Sequence, residues 1–300
     1  MMVNMKGFIF HMELMEKAYA KINISLDVAG KMADGYHELK MVMESVSLYD
    51  DVKVRVDSGK GVNASTNLSY LPTDERNIAV KAAQLFFTEM KIQNKKAEIK
   101  IFKRIPVCAG LAGGSSDAAA VLRALNRMLG TGLSSDELEK MGERLGSDVP
   151  YCVAGGTMLA QGRGEQLTPL PAMPRCAIVV CKPAFSVSTS GIFSKLECEK
   201  IRHRPDTRGI IEALEKHSLA EIAHRVYNVF EDLPYKGKRE IMEIKEAVLS
   251  LGAIGAAMSG TGPAVFGIFD DEEKACAAMD TLSKKHKDTF LTNNIERLKV

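Results

Sequence analysis

The chain lacks the features that mark several common classes of protein. Its 300 residues include no run of 18 apolar residues, so no membrane-spanning helix is expected. The 40 basic and 38 acidic residues leave a net charge of +2, which does not favour binding to nucleic acid or to an anionic membrane. The six cysteines form no C-x-x-C pair, so a zinc site is not expected, and such thiols are typical of a reducing, cytosolic compartment.

The composition and its patterns predict a folded protein of one large or two modest domains. The hydrophobic content of 46% is enough for a real core. Three prolines between residues 162 and 174 indicate a boundary, so we expect an N-terminal domain over residues 1–165 and a C-terminal domain over 166–300. Residues 1–14 are expected to be a loose extension, because regular patterning begins near Glu16. Helical segments mixed with mostly antiparallel strands indicate the α+β class.

Three local patterns predict where helices and strands begin and end. A β-rich run extends from His37 to Val56, and Asp50-Asp51 is expected to divide it into two strands. Helices are predicted near residues 208–217, 219–230 and 239–251. Another helix is predicted from Ala118, with the preceding serines and aspartate as capping residues.

The most informative segment precedes that last helix. It contains three glycines and two serines, namely Gly110, Gly113, Gly114, Ser115 and Ser116. A glycine-rich loop before a helix offers free backbone N–H groups and the positive end of the helix dipole, which together bind anions and most often phosphate. No lysine follows the glycines, so the loop is not the common Gly-x-x-x-x-Gly-Lys type. A simple structural turn with a capped helix is the alternative.

Two charged residues are candidates for chemistry, and each has a plainer interpretation. Residues 19–28 alternate between polar and apolar types, which predicts a strand whose polar face carries Lys21 and Asn23. Lys21 is either a solvent-facing lysine or a fixed cation that stabilises developing negative charge. Asp148 is either the N-cap of a short helix or a carboxylate that accepts a proton from a substrate hydroxyl.

Five motifs occur in order over most of the chain. They are Ala20-Lys-Ile-Asn23, Asp34-Gly-Tyr-His37, Pro106-x-x-x-Gly-Leu-x-Gly-Gly-Ser-Ser-Asp-Ala-Ala119, Gly146-Ser-Asp-Val-Pro150 and Ser259-Gly-Thr-Gly-Pro263. Together they resemble the galactokinase, homoserine kinase, mevalonate kinase and phosphomevalonate kinase (GHMP) superfamily. The closest resemblance is to a branch whose alcohol substrate carries a diphosphocytidyl group in non-mevalonate isoprenoid biosynthesis. The resemblance implies a two-domain fold, with a ribosomal-protein-S5-like N-terminal domain and a ferredoxin-like C-terminal domain.

The resemblance also implies a role for each matching residue. Asp148 would be the general base and Lys21 the lysine beside it. ATP would be bound by Pro106, Gly110, Leu111, Gly113, Gly114, Ser115, Ser116, Asn77 and Lys103. The alcohol substrate would be bound by Asn23, Tyr36, His37, Thr189 and Phe193, with Tyr36 and Phe193 on opposite faces of cytosine. Gly260, Thr261 and Gly262 would close over the site of phosphoryl transfer.

The implied partners are ATP and a small-molecule substrate, in a monomer or a homodimer. Mg²⁺ is inferred from ATP chemistry, because no motif marks its ligands. Two alternatives stay open at this point. One is a GHMP kinase that acts on a small alcohol such as homoserine or mevalonate, although such a substrate needs no aromatic clamp. The other is a nucleotide-binding regulator without catalytic activity.

Overall fold

The computed structural model describes residues 12–299. The part of the expected N-terminal extension that covers residues 1–11 lies outside this range. Residues 12–14 are not loose, because Met12, Glu13 and Leu14 pair with residues of the second strand. The first strand therefore begins before the regular sequence pattern does, since its antiparallel partner is long enough to pair with it to Met12.

Two sheets form the framework of the molecule. The larger sheet contains β1 (Met12–Lys31), β2 (His37–Ser58), β3 (Gly61–Thr66), β4 (Lys95–Phe102), β5 (Met158–Gly162), β6 (Gln166–Pro169) and β8 (Tyr227–Asn228). The smaller sheet contains β7 (Ala177–Lys182), β9 (Gly255–Met258), β10 (Val265–Phe269) and β11 (Asp288–Asn293). The pairs β3–β4 and β1–β8 are parallel, and the other pairs within residues 12–299 are antiparallel. This arrangement confirms the α+β class.

Helices cover both sheets. The α-helices are α1 (Ile78–Glu89), α2 (Gly113–Leu129), α3 (Ser135–Glu143), α4 (Val149–Ala154), α5 (Thr189–Phe193), α6 (Thr207–Glu215), α7 (Leu219–Ala223), α8 (Lys238–Ser250) and α9 (Glu272–Ser283). Short 3₁₀ segments lie at Cys198–Lys200 and Val229–Asp232. Within the described part of the chain, none of these helices is both long and apolar enough to cross a membrane.

The long hairpin of β1 and β2 is the centre of the larger sheet. The strand order is β3-β4-β2-β1-β8, and β5 and β6 extend from the other end of β2. The predicted break at Asp50-Asp51 is wrong, because β2 continues through it. Asp50 is fully buried in the strand, and its carboxylate accepts hydrogen bonds from the Lys103 ammonium and from the backbone N–H groups of Arg104 and Ile105. A buried carboxylate with this many donors does not interrupt a strand.

The smaller sheet has the strand order β11-β7-β10-β9. Helices α5 to α8, with the short strand β8 among them, connect β7 to β9, and α9 connects β10 to β11, which gives a β-α-β-β-α-β arrangement of the smaller sheet. This order agrees with the ferredoxin-like arrangement that the resemblance implies. The core of this half lies between the sheet and its helices, with Phe266 and Phe269 fully buried.

The two halves of the chain are joined at β1 and β2. Tyr227 and Asn228 form β8, which pairs in parallel with β1, and Asn294 forms a bridge to Val46 of β2. The predicted helix over 219–230 is therefore too long, because α7 ends at Ala223 and the following residues pair with β1. The division at residue 165 stays a prediction, although β6 still belongs to the larger sheet.

Helix α2 begins earlier than the sequence pattern predicts. It starts at Gly113, and the preceding Ala112 adopts a left-handed conformation (φ 57°) with no side-chain cap. The serines therefore lie within the first turn and do not cap the helix. Arg123 in the middle of α2 is almost fully buried, and its guanidinium donates to the carbonyl oxygens of Lys17 and Cys152. Arg123 thus holds α2 against β1 and α4, the elements next to the candidate site.

Candidate active site

A cavity of 620 Å³ lies between the N-terminus of α2 and the loop that joins β9 to β10. We call it the phosphate-loop cavity. Six of the predicted ATP-binding residues form its wall on the α2 side, namely Pro106, Gly110, Leu111, Gly113, Gly114 and Ser115. The first backbone N–H groups of α2 have no acceptor within the helix, and Ala112 supplies no capping side chain. Free donors at the positive end of a helix make this wall suited to phosphate.

Ser116 differs from the other predicted ATP-binding residues of the loop. It is buried, it does not line the cavity, and its hydroxyl donates to the Tyr19 carbonyl oxygen at 2.7 Å. This placement supports a structural role, in which Ser116 ties the first turn of α2 to β1.

The glycine-rich loop and the β9–β10 loop are packed backbone against backbone. A Cβ atom on Gly110 would lie 2.0 Å from the Ser259 carbonyl oxygen, so only glycine fits there. The Ser259 hydroxyl donates to the Gly110 carbonyl oxygen at 2.9 Å, and Ala264 N–H donates to the Ala109 carbonyl oxygen at 3.1 Å. These contacts place the three predicted residues of the second loop in the wall of the same cavity: Gly260, Thr261 and Gly262.

Lys21 is buried on β1 and reaches the phosphate-loop cavity. Its side chain is not on a solvent face, because the residue is only 4% exposed. Its ammonium donates to the Asn23 side-chain oxygen at 2.6 Å, and a Cβ atom on Gly260 would lie 3.3 Å from it. Asn23 is fully buried, does not line the cavity, and also contacts the Met41 sulfur. Asn23 is therefore placed to orient Lys21, and its position does not support the predicted contact with substrate.

Asp148 lines the same cavity at the start of α4. It occupies the N-cap position, yet its side chain makes no capping hydrogen bond, so the carboxylate is not engaged by the helix. Burial raises the pKa of the nearby Cys152 thiol, and Asp148 and Lys21 act on that pKa in opposite directions. Both charges are therefore close to Cys152. The cavity thus brings together a cation, a carboxylate and a phosphate-binding helix end.

Lys103 was expected in the adenine pocket, but its ammonium is engaged inside the protein. It lies 2.5 Å from Asp50 Oδ2 and 2.6 Å from Asp117 Oδ2, and all three side chains are buried. Burial lowers the pKa of Lys103, but the charges of Asp117 and Asp50 raise it by more. Burial raises the pKa of Asp117 to about 7, although the Lys103 charge acts against this. A Cβ atom on Gly113 would lie 3.4 Å from the Lys103 ammonium. The cluster of Lys103, Asp50 and Asp117 therefore packs directly against the glycine-rich loop.

Asn77 borders the phosphate-loop cavity at the start of α1. Its side-chain oxygen caps α1 by accepting from Ala79 N–H at 2.9 Å, and its amide nitrogen donates to the Pro72 carbonyl oxygen. Asn77 thus fixes the start of α1. Apolar side chains complete this part of the wall: Leu71, Pro72, Ile78 and Val107.

A second cavity of 1460 Å³, which we call the Tyr36 cavity, lies beside the first. Four of the predicted substrate-binding residues line it, namely Tyr36, His37, Thr189 and Phe193. Tyr36 is 57% exposed, and one face of its ring is covered by the Arg163 guanidinium at 3.9 Å from the ring centroid. The Phe193 ring instead contacts those of His37 and Phe230, at centroid distances of 5.1 and 5.0 Å.

The two cavities form one continuous cleft. Six residues line both of them: Leu39, Ser147, Arg163, Ser188, Thr189 and Phe193. The Thr189 hydroxyl lies 3.0 Å from that of Thr261, which links α5 to the β9–β10 loop. A ligand can therefore extend from the exposed tyrosine to the Lys21 and Asp148 side chains.

Asn228 is a residue next to the site that the sequence analysis missed. It is fully buried, and its amide nitrogen donates to the carbonyl oxygens of Met258 and Gly260, each at 2.7 Å. Glu231 accepts a hydrogen bond from Met258 N–H at 2.7 Å. These two side chains fix the entrance of the β9–β10 loop. The weak helix propensity of asparagine was a signal against the helix predicted across this position.

No cluster of three or more His, Cys, Asp or Glu side chains that could hold a metal ion occurs within residues 12–299. Two oxygen atoms beside the glycine-rich loop are nevertheless suitable for a hard cation. The Ser115 hydroxyl belongs to the cavity wall, and Asp117 Oδ1 is buried without a hydrogen-bond partner in the described structure. Mg²⁺ commonly uses only one or two protein oxygens when it is bound together with nucleotide phosphates.

Comparison with known proteins identifies the class to which this cleft belongs. The family model of the GHMP kinase N-terminal domain matches residues 77–156, and that of the GHMP kinase C-terminal domain matches residues 210–288. The crystal structure of homoserine kinase from Cytophaga hutchinsonii has a TM-score of 0.74 over 98% of each chain, at 19% identity. That level of identity shows the shared fold alone. The chain is a kinase of the GHMP class.

Closer relatives define the family within that class. A 4-diphosphocytidyl-2-C-methyl-D-erythritol kinase from Clostridium beijerinckii is 44% identical over 279 residues, which cover 93% of this chain and 99% of the relative. A crystal structure of 4-(cytidine 5′-diphospho)-2C-methyl-D-erythritol kinase matches with a TM-score of 0.78 and 30% identity, over 94% of this chain and 99% of the other. The chain belongs to the 4-diphosphocytidyl-2-C-methyl-D-erythritol kinase family.

Proposed function

We propose that this protein transfers the γ-phosphoryl group of ATP to the 2-hydroxyl of 4-diphosphocytidyl-2-C-methyl-D-erythritol, in the non-mevalonate formation of isoprenoid precursors. The observation that carries the proposal is the joint presence of Lys21 and Asp148 in the cavity walled by the N-terminus of α2. The named function of the relatives and the order of the five motifs support the same reaction.

In this proposal ATP lies along the glycine-rich loop. The β- and γ-phosphates accept hydrogen bonds from the free N–H groups at the start of α2. The apolar wall beside Asn77 takes the adenine ring, while Gly260 to Gly262 cover the γ-phosphate from the other side. Mg²⁺ would be held by the phosphates together with Ser115 and Asp117, where it would neutralise charge on the phosphate oxygens.

Asp148 is proposed to accept the proton of the substrate hydroxyl. The hydroxyl oxygen then forms a bond to the γ-phosphorus while the bond between that phosphorus and the ADP oxygen breaks. Lys21 stabilises the negative charge on the oxygens during transfer, because a buried cation acts more strongly there than in water. Asn23 holds the Lys21 ammonium in place through its 2.6 Å hydrogen bond.

The Tyr36 cavity is proposed to hold the cytidine end of the substrate. Aromatic rings stack well on a nucleobase, and Tyr36, Phe193 and His37 supply three of them. The free cysteines, of which Cys152, Cys176 and Cys181 are buried, support our placement of the enzyme in the cytosol.

The test is an ATP-to-ADP turnover assay with Mg²⁺ on the purified protein and on Asp148→Asn. We expect turnover with the cytidyl alcohol and a kcat about 10²–10⁴-fold lower for the variant, the usual range for loss of a general base. Near-normal turnover by Asp148→Asn would overturn the role of that residue. Turnover with homoserine or mevalonate in place of the cytidyl alcohol would overturn the substrate assignment, and ATP binding without any turnover would favour a regulator.

A further inference from the structure

The proposed function, on which the following inference rests, leaves one part of the substrate without a partner. Its cytosine and its reacting hydroxyl are assigned to opposite ends of the cleft, so the diphosphate between them must lie near the junction of the two cavities. A diphosphate carries negative charge at neutral pH, and a buried or half-buried charge needs a partner of opposite sign. A positively charged side chain is therefore expected at the junction of the two cavities.

Within the described chain, Arg163 is the one positively charged residue that lines both cavities. The other cations each border a single cavity, such as Lys21 on the loop side and Arg144 on the tyrosine side. The Tyr36 cavity also has an acidic rim, formed by Glu143, Glu165, Glu197 and Glu199. The negative charge of that rim opposes a diffuse attraction for anions, so a specific cation at the junction matters more.

The local structure fixes Arg163 at this position. It lies in the tight turn between β5 and β6, flanked by Gly162 and Gly164, both of which have positive φ. Its backbone N–H donates to the Glu165 carboxylate at 2.7 Å. Its guanidinium covers one face of Tyr36, and the tyrosine is still 57% exposed beside it.

The Arg163 guanidinium pairs with a carboxylate that the substrate diphosphate can replace. It forms an ion pair with the Asp34 carboxylate, in which the side chains are 45% and 41% exposed. Exposed ion pairs contribute little to stability, so giving one up costs little. A guanidinium can also stack on an aromatic ring while it binds phosphate oxygens through two N–H groups, which a lysine ammonium cannot do.

We propose that Arg163 binds the diphosphate of the alcohol substrate while it remains stacked on Tyr36, and that Asp34 holds the guanidinium in position until the substrate arrives. Arg163 would then distinguish diphosphocytidyl alcohols from small alcohols, which present no charge at the junction. Its role is recognition, because Arg163 is assigned to the diphosphate, whereas Lys21 and Asp148 are assigned to the reacting hydroxyl.

The experiment compares the binding of CDP and of cytidine to the intact protein, with the ATP site filled by a non-hydrolysable ATP analogue. CDP carries the diphosphate and cytidine does not, while both carry the base. Calorimetric titrations would use the wild type, Arg163→Gln, Tyr36→Ala and the control Arg204→Gln. Arg204 forms a comparable ion pair with Asp27 at 2.7 Å, is 41% exposed, and lines neither cavity.

We expect Arg163→Gln to raise the Kd for CDP about 10- to 50-fold, the range for loss of a hydrogen-bonded charge, and to change the Kd for cytidine less than about twofold. Tyr36→Ala should weaken both ligands, because both carry the base, and the control should change neither. The difference between wild type and Arg163→Gln should shrink at high salt, because exposed charges are screened.

Equal weakening of CDP and cytidine by Arg163→Gln would overturn the proposal, since Arg163 would then act only by placing Tyr36. An unchanged Kd for CDP would overturn it as well. Failure of the proposed function would look different, because the wild type itself would bind neither ligand and would not turn over the cytidyl alcohol. In the full reaction, the KM for that alcohol should rise in Arg163→Gln while the KM for ATP stays within about twofold.

Discussion

A buried glutamate makes the pH dependence of stability a strict test of the structure. Glu44 lies on β2 opposite Ile22, the residue between Lys21 and Asn23 on β1. It is 1% exposed, its Oε2 atom has no hydrogen-bond partner in the described structure, and no lysine or arginine among residues 12–299 forms an ion pair with it. Burial raises its pKa from 4.5 to about 8, while hydrogen bonds from Thr157 and Asn294 act in the opposite direction.

The size and sign of the change in stability with pH follow from the coupling between protonation of Glu44 and folding. Because the pKa of Glu44 is higher in the folded than in the unfolded state, the folded protein retains a proton that the unfolded chain loses above pH 4.5. The free energy of unfolding therefore falls as the pH rises from about 4.5 to about 8, and then stays level. At about 1.4 kcal/mol per pKa unit, the loss is on the order of 3–5 kcal/mol.

The perturbation is Glu44→Gln, which keeps the size of the side chain and cannot ionise. We expect the variant to be no more stable than the wild type at pH 5 but more stable at pH 9, with a gain in Tm on the order of 5–15 °C at the higher pH. Thermal unfolding followed by circular dichroism across pH 5–9 measures this difference directly. The control is Glu246→Gln, which removes an exposed carboxylate on α8. Its Tm should change with pH in the same way as the Tm of the wild type. A Tm difference between Glu44→Gln and the wild type that does not change with pH would refute the reasoning.

Two further predictions concern Lys103, which packs against the glycine-rich loop, and Asn228, which holds the β9–β10 loop. Lys103→Met should lower the free energy of unfolding by about 3–5 kcal/mol in urea titrations, because it leaves two buried carboxylates without their cation, and a loss below about 1 kcal/mol would contradict the buried cluster. Asn228→Asp should lower kcat about 10- to 100-fold and more than Asn228→Ala does, because a carboxylate cannot donate to the two carbonyl oxygens and would repel them. The exposed Asn63→Ala should leave kcat unchanged, and a milder effect of Asp than of Ala at position 228 would show that the hydrogen bonds are unimportant.

The sequence was most informative where a local pattern determines the structure. Ser134 and Glu137, three residues apart, form a capping box at the start of α3, and Asn77 caps the start of α1. The glycine-rich loop was also recognisable, because three glycines before a helix have few other uses. In each of these cases the residues that decide the conformation lie within a few positions of one another.

The sequence was least informative where distant residues determine the environment. Lys103 is paired with Asp50, which is 53 positions away, so no local pattern shows that its ammonium is already engaged. Asn228 lies in a segment with a helical pattern, but its pairing with β1 and its bonds to the β9–β10 loop override that pattern. The start of α2 was misplaced for a related reason, because serines that cap many helices here lie inside the first turn.

In the proposed mechanism, the arrangement of the cleft separates chemistry from recognition. Around Lys21, the two loops are joined through Ser259, whose hydroxyl donates to Gly110 and accepts from Asn23 N–H. A shift of the glycine-rich loop, of the β9–β10 loop or of β1 would move the other two. Substitutions in these three segments should therefore lower kcat for every alcohol substrate. Tyr36 and Arg163, in contrast, are exposed and are supported mainly by each other and by neighbours on short turns. Changes at this rim should therefore alter which alcohol is accepted while leaving phosphoryl transfer intact, which is how one fold can serve kinases with very different acceptors.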